Sequence, residues 1–428
     1  MGTLLKADAS VINYFTGSNG PIFRSAAADF SKFGTGSSNQ YTTTPDGATT
    51  AYEVLSGENQ SVTVDVNIKS VARTGRTALM VFNAGYAGTS SATTTAYMSP
   101  SMSLRFDNDG GFTAPWWSRS VNLHLGWNCI VTGREIGTAI TGHPIGSEGT
   151  TGTSAWATDT HTRFRTVISG VGAGLTTRIY YAQLVDNIQA ESRLVLRFDD
   201  AYASVYTVAF PIMQAFGLVG VLGVISSRIG TVGYMTWEQV AELHAAGWEI
   251  ANHTKTHSQV DYAESEAYWL TEIGDCSDEI EANVGVRPTT FVSPYGNMAR
   301  GTATGYRSAV QLLFDVSMGT TDANLGPLLL TGHHLPCHNV RTHSGGVNAA
   351  GHLTRIRGVV AAGCSSILMY HNILTGPTTD DVDLLTADFT AQMALIFQLK
   401  EAGFCKVPTM KQFADEVGIG FQLLPVAA

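Results

Sequence analysis

No stretch of the 428-residue chain is long and apolar enough to span a bilayer, so a membrane-spanning helix is not expected to organise it. Charge is scarce: Asp, Glu, Lys and Arg make up 14% of the residues, and the balance is −10. A chain of that sign has no broad attraction for nucleic acid or for an anionic membrane surface. The five cysteines (Cys129, Cys276, Cys337, Cys364 and Cys405) are odd in number and form no Cys-x-x-Cys pair. That pattern argues against a disulfide framework or a structural zinc knuckle and leaves free thiols. The opening Met1-Gly2-Thr3-Leu4-Leu5-Lys6-Ala7-Asp8 has no basic segment leading into an apolar run, so a Sec-type signal peptide is not expected. Lys6 stands where a myristoylation motif has Ser or Thr. Coiled-coil heptads are also lacking.

What is present divides into two textures, and a chain of this length is expected to form two domains. Up to about residue 190 it reads as strands and loops. Val62, Val64, Val66 and Ile68 alternate with Thr63, Asp65 and Asn67, the period-two pattern of a half-buried strand. Short apolar runs at 77–82 and 179–185 are separated by Gly/Ser/Thr-rich stretches such as 34–38 and 146–154. This predicts an all-β sandwich or jelly roll over residues 1–190, suited to carbohydrate binding or attachment.

From residue 191 to the end, strand-like and helical runs alternate, predicting an α/β domain with a parallel barrel. Leu194–Phe198 is a short buried strand. Val205, Val208, Ala209, Ile212, Met213 and Phe216 recur at helical spacing, with Pro211 kinking or restarting that helix. Further strands are expected at 218–225, 248–251, 289–292, 314–318 and 366–370. Helices are expected around Trp237–Leu243 and Tyr268–Ile280, and a last one ends near Gly403.

Chemistry concentrates where these strands end. Arg197-Phe198-Asp199-Asp200 supplies adjacent carboxylates, and neighbouring residues on a strand point to opposite faces, so the two can take different roles. His253 and His257 are four apart, a spacing that lets both imidazoles reach one ion if the chain turns helically after the strand. With Asp200 they make a two-His, one-carboxylate set with positions open for water and substrate. Zinc suits that set, as do cobalt, nickel, iron and manganese.

Reading on, Ser293-Pro294-Tyr295-Gly296 and Met369-Tyr370-His371 follow. In order and spacing these segments resemble the polysaccharide deacetylases, the NodB-homology domain of carbohydrate esterase family four, over the C-terminal half only. The resemblance implies a distorted (β/α) barrel that removes acetyl groups from a glycan with one divalent metal. It implies Asp199 as general base, Asp200 as metal ligand, the Tyr295 backbone N–H as oxyanion donor beside Pro294 at the substrate, and His371 as the acid that protonates the leaving group. Many members carry an Arg where this chain has Val292. Arg197 shares a strand face with Asp199 and is expected to replace that guanidinium. Asp380, Asp381 and Asp383 are candidate partners for His371.

Other clusters are discounted. His333, His334, His338 and His343, with Cys337, have irregular loop spacing and read as loop or substrate-contact residues. Arg105-Phe106-Asp107-Asn108 echoes the first motif without a following histidine pair, and Trp116-Trp117 reads as core before sugar platform. Rival readings are a small-molecule amidohydrolase on the same barrel and a non-catalytic carbohydrate-binding or adhesion protein. A glycan-acting chain with a Thr/Gly-rich β segment and no signal peptide also fits a virion-associated phage tail component, trimeric in that setting, acting on the bacterial surface.

Overall fold

In a computed structural model, the described residues are 192–417, apart from 259–263, 300–303, 321–324, 326–331, 342–348, 362–363, 379 and 381, together with the backbone of strand segments between 21 and 186. Those N-terminal segments are strands throughout, joined by antiparallel pairing into two sheets. Stacking of one sheet on the other, which a sandwich requires, lies outside the described residues, as do the side chains of Trp116 and Trp117.

The C-terminal region is built on seven parallel strands: β1 (Ser192–Phe198), β2 (Val221–Val224), β3 (Glu249–Asn252), β4 (Thr290–Val292), β5 (Val316–Met318), β6 (His338–Asn339) and β7 (Ser366–Tyr370). Their order is β5-β4-β3-β2-β1-β7-β6, and a two-residue strand, Cys405–Lys406, also pairs in parallel with the start of β1. β1 is buried along its whole length, the pattern of a parallel strand covered on both faces. Its alternate residues enter different cores. Leu194, Leu196 and Phe198 face the helices, whereas Val195 joins Val221, Ala251, Val292 and Ile367 in a second cluster. Phe198 locks this orientation: its ring lies 5.1 Å from both Trp248 and Tyr370 and 5.9 Å from Phe389. Arg197 and Asp199, on the other parity, therefore share the side of Val195.

The expected barrel is realised as a curled parallel half-barrel. The segment Gly332–Asn339 runs between its edge strands: Leu335 bridges to Met318 of β5, and His338 pairs with Leu368 of β7. Only two of its residues form β6, too few for a regular barrel strand.

Around the sheet lie α1 (Phe210–Ala215), α2 (Trp237–Ala245), α3 (Glu266–Val284), α4 (Thr304–Leu313), α5 (Ala349–Ala361), α6 (Thr386–Glu401) and α7 (Met410–Val417). Before Pro211 the chain makes a π-turn over Val205–Ala209, and α1 restarts with the proline in its first turn, where no N–H is needed. α6 is not the last helix, as the apolar pattern predicted: α7 follows and inserts Met410 and Phe413 into the Val195 cluster. Gly220 is required by close approach, since a Cβ there would stand 2.8 Å from Trp248. Cys276, Cys337, Cys364 and Cys405 are buried and form no disulfide with one another.

Candidate metal centre

Because the strands are parallel, their C-terminal ends share one rim, and the segments singled out in sequence meet there. The Asp199 N–H still continues the ladder, donating to Tyr370 O at 2.9 Å. The chain then turns through Asp200 (φ 71°) and Ala201 (φ 58°). This left-handed turn, rather than strand alternation, separates the two carboxylates. Thr254 (φ 63°), His257 (φ 56°) and Tyr295 (φ 54°) are left-handed too; His334 (φ 56°) is the one other such non-glycine among the described residues. Each costs roughly 1–3 kcal/mol, so the surrounding bonds must over-determine them.

The segment after β3 is correspondingly not the helical turn that the His-x-x-x-His spacing suggested. Asn252 Oδ1 accepts from Thr254 N–H at 2.8 Å, and Thr254 Oγ1 accepts from His257 N–H at 3.0 Å. Asn252 Nδ2 donates to Ile273 O and Ser277 Oγ, both at 2.8 Å, tying the segment to α3. From the same helix, Glu272 Oε1 accepts from Thr256 N–H at 2.7 Å and from its hydroxyl at 2.8 Å.

His253 Nδ1 lies 2.8 Å from Val292 O, an acceptor, so this nitrogen carries a proton and Nε2 is the atom turned toward the site. His253 Nε2 stands 3.4 Å from Asp200 Oδ1, and His257 Nε2 stands 3.5 Å from the same oxygen. His257 Nδ1 meets Tyr295 Oη at 3.0 Å, with the two rings 4.5 Å apart. Burial, and then the neighbouring His253, push His257 down to about 3, keeping its imidazole neutral.

These three side chains fit a divalent cation. Asp200 Oδ1 is buried without a hydrogen-bond partner among the described residues, while two ring nitrogens face it. Lone pairs converging on one point repel unless a cation lies between them. Ligands about 2.0–2.1 Å from a tetrahedral ion sit about 3.3 Å apart, close to both separations. No other group of three such side chains converges among the described residues.

Asp199 is held apart from this triad. Arg197, with no exposed surface, grips it with a fork: Nε to Oδ1 at 2.6 Å and Nη2 to Oδ2 at 2.5 Å. Arg197 Nη1 donates to Gly319 O at 2.7 Å. Burial alone would raise the Asp199 carboxyl, but the Arg197 charge prevails and holds it below the usual carboxylate range.

His371 Nε2 is 3.8 Å from Asp199 Oδ2, and burial lowers the imidazole's proton affinity. Its Nδ1 has no hydrogen-bond partner among the described residues. Of the three candidate acids, Asp380 is exposed and Asp381 lies outside the described residues. Asp383 accepts from Asn372 Nδ2 at 3.0 Å and from Asp380 N–H at 2.9 Å, bracing the chain beside His371.

The discounted histidines sit apart from the triad. His333 Nδ1 and His334 N–H meet Ser317 Oγ at 3.3 and 2.9 Å, His338 belongs to β6, and His343 lies outside the described residues. Cys337 Sγ donates to Gly319 O at 3.1 Å. Sequence reasoning missed Asn252, Glu272, Gly319 and the Tyr295 hydroxyl. Asn252 stands directly before His253 but was given no role of its own, whereas Glu272 carried no motif and only the docking of α3 on β3 brings it to the histidines.

A family model described as polysaccharide deacetylase matches residues 186–311. YxkH of Bacillus subtilis (strain 168), whose name assigns it to the polysaccharide deacetylases, is 28% identical over 131 residues, 29% of this chain and 46% of that one. The chain thus spans about half the length of this relative. Among solved structures, a family 4 acetyl xylan esterase from Clostridium thermocellum, in complex with cobalt, is similar at 17% identity and TM-score 0.36, covering 55% of this chain and all of that one. The Xyl-CE4 domain of a multidomain xylanase from the hindgut metagenome of Trinervitermes trinervoides is similar at 16% identity and TM-score 0.36, covering 53% and 92%. Residues 186–311 belong to the polysaccharide deacetylase family.

Proposed function

We propose that the C-terminal region is a metal-dependent hydrolase that removes acetyl groups from a glycan. One observation carries this reading: Asp200, His253 and His257 converge on a point beside a buried Asp199 that is bonded to Arg197 and not to the triad. Asp200 Oδ1, His253 Nε2 and His257 Nε2 would hold the cation, zinc or another of the divalent ions that such a donor set accepts. Bound there, the cation supplies Lewis acidity that acidifies water and polarises the acetyl carbonyl.

The chain's own groups do the rest. Asp199, ionised by its fork to Arg197, takes a proton from water through a remaining lone pair on Oδ1 or Oδ2. The fork weakens it as a base while keeping it ionised and aimed. The Tyr295 backbone N–H would donate to the oxygen that becomes negative as the carbonyl is attacked, with Pro294 lining the acetyl site. His371 Nε2, beside Asp199, would carry a proton to the departing nitrogen or oxygen of the sugar.

The test combines metal content with acetate release. The full chain, loaded with zinc or cobalt and dialysed, should retain about one ion and release acetate from at least one of a panel of acetylated capsular, peptidoglycan, chitin and xylan substrates. Asp199→Asn should keep the ion and lose the release. A chain that retains no ion, or an Asp199→Asn variant as active as the parent, would end this reading.

A further inference from the structure

The turn Ser226–Arg228 and the loop that follows it to Met235 stand between the two segments that carry the triad. On one side, Ser227 N–H donates to Lys255 O at 3.0 Å, between His253 and His257. On the other, Met235 N–H donates to Ala201 O at 3.0 Å and Ala203 N–H to Gly233 O at 2.9 Å, directly after Asp200. Three side chains gather here. Tyr202 and Tyr234 stack with centroids 5.2 Å apart, while Arg228 lies 5.3 Å over the Tyr234 ring and donates from Nη1 to its Oη at 2.8 Å.

Arg228 lacks, among the described residues, the carboxylate partner that three other arginines of the domain have. Arg193, Arg197 and Arg287 each meet a carboxylate, at 3.0, 2.5 and 2.7 Å. Among the described residues, half-buried Arg228 has only the neutral Tyr234 phenol. A guanidinium carries five N–H groups in a planar fork suited to two carboxylate oxygens, and one phenol satisfies only one of them. The loop tip, folded back by Gly230 (φ 81°) and Gly233 (φ 90°), leaves Val232 fully exposed.

We propose that Arg228, with Tyr202 and Tyr234, forms a subsite for a carboxylate-bearing sugar next to the acetylated residue, so that the substrate is an acidic glycan. This rests on the reading of the adjoining centre as a glycan deacetylase. The chain's net charge of −10 would repel a polyanion at long range. Within a Debye length of about 8 Å, however, the local cation decides.

Binding and turnover separate the two readings. Isothermal titration of the full chain with oligogalacturonides, and with the same oligomers methyl-esterified, compares acid and neutral forms of one backbone. The acid should bind about tenfold tighter, a preference that shrinks with added salt, and Arg228→Gln should remove it while circular dichroism stays unchanged. Tyr234→Phe, which keeps the cation, should retain it. Equal affinity for both forms, no binding of either, or a preference that persists in Arg228→Gln, as capture by the metal site would give, overturns the proposal. Failure of acetate release would instead strike the deacetylase reading and leave the binding comparison intact.

Discussion

Arg197 and Asp199, two residues apart on one face of β1, form a buried two-point ion pair at 2.6 and 2.5 Å, and the same guanidinium is anchored on Gly319 O. Such a fork fixes both the charge of the carboxylate and the direction of its free lone pairs.

Arg197→Lys keeps a positive charge but not the fork. With desolvation less opposed, the Asp199 carboxyl should rise, since burial raises it and Arg197 is what lowers it. The acid limb of kcat/KM should therefore move to higher pH, with a loss of roughly tenfold or more at mildly acidic pH. An acid limb identical to that of the parent would show that the pair is structural only.

Tyr295 Oη lies 3.0 Å from His257 Nδ1, and as the acceptor there it would keep the proton on Nδ1 and leave Nε2 free to bind a cation beside Asp200. Tyr295→Phe removes that acceptor and retains the backbone N–H. Zinc affinity, measured by chelator competition, should fall about tenfold. Unchanged affinity would mean that backbone geometry alone orients the ring.

Glu272 holds Thr256 from α3, one residue before His257. Glu272→Gln retains one acceptor oxygen but gives up the charge-assisted bonds, so the expected loss of metal affinity is about tenfold; Glu272→Ala should approach a hundredfold. Both are read by the same competition, with helicity as the control. Equal affinities across the series would remove α3 from the metal site's support.

Glu416 of α7 pairs with Arg193 of β1, at 3.1 and 3.0 Å, and with Lys406. The Arg193 hydrogen bond, against some burial, draws its carboxyl down to about 2. The folded value lies below the unfolded one of about 4.3, so the stability it adds is present above pH ~4.3 and lost as pH falls toward 2. The group is partly exposed, which limits this to about 0.5–1 kcal/mol. Urea unfolding of Glu416→Gln should show that deficit at pH 7 and a smaller one at pH 3. A deficit of the same size at both would contradict the coupling.

Much of the C-terminal region is legible in the amino-acid sequence alone. The buried strand at 194–198, the arrest at Gly247 and the break at Pro211 follow from local rules, namely apolar runs, left-handed glycine (Gly247 has φ 93°) and a missing N–H. The helices at 304–313, 349–361 and 410–417 were not foreseen, because their apolar residues face neighbours unknown to the local sequence. Residue types and spacing nominated Asp200, His253 and His257 as a metal-binding set, and the resemblance to the polysaccharide deacetylases added Asp199 and His371. What spacing could not supply was the means of convergence. Left-handed turns at Asp200, Thr254 and His257 are unfavourable in isolation and hold only under bonds from Asn252, Thr254 and α3. Likewise, the pairing of Arg197 with Asp199 could be inferred from strand parity. Its burial, its anchor on Gly319 and the two Nε2 atoms facing Asp200 depend on strands distant in sequence, and only long-range packing brings those to one rim.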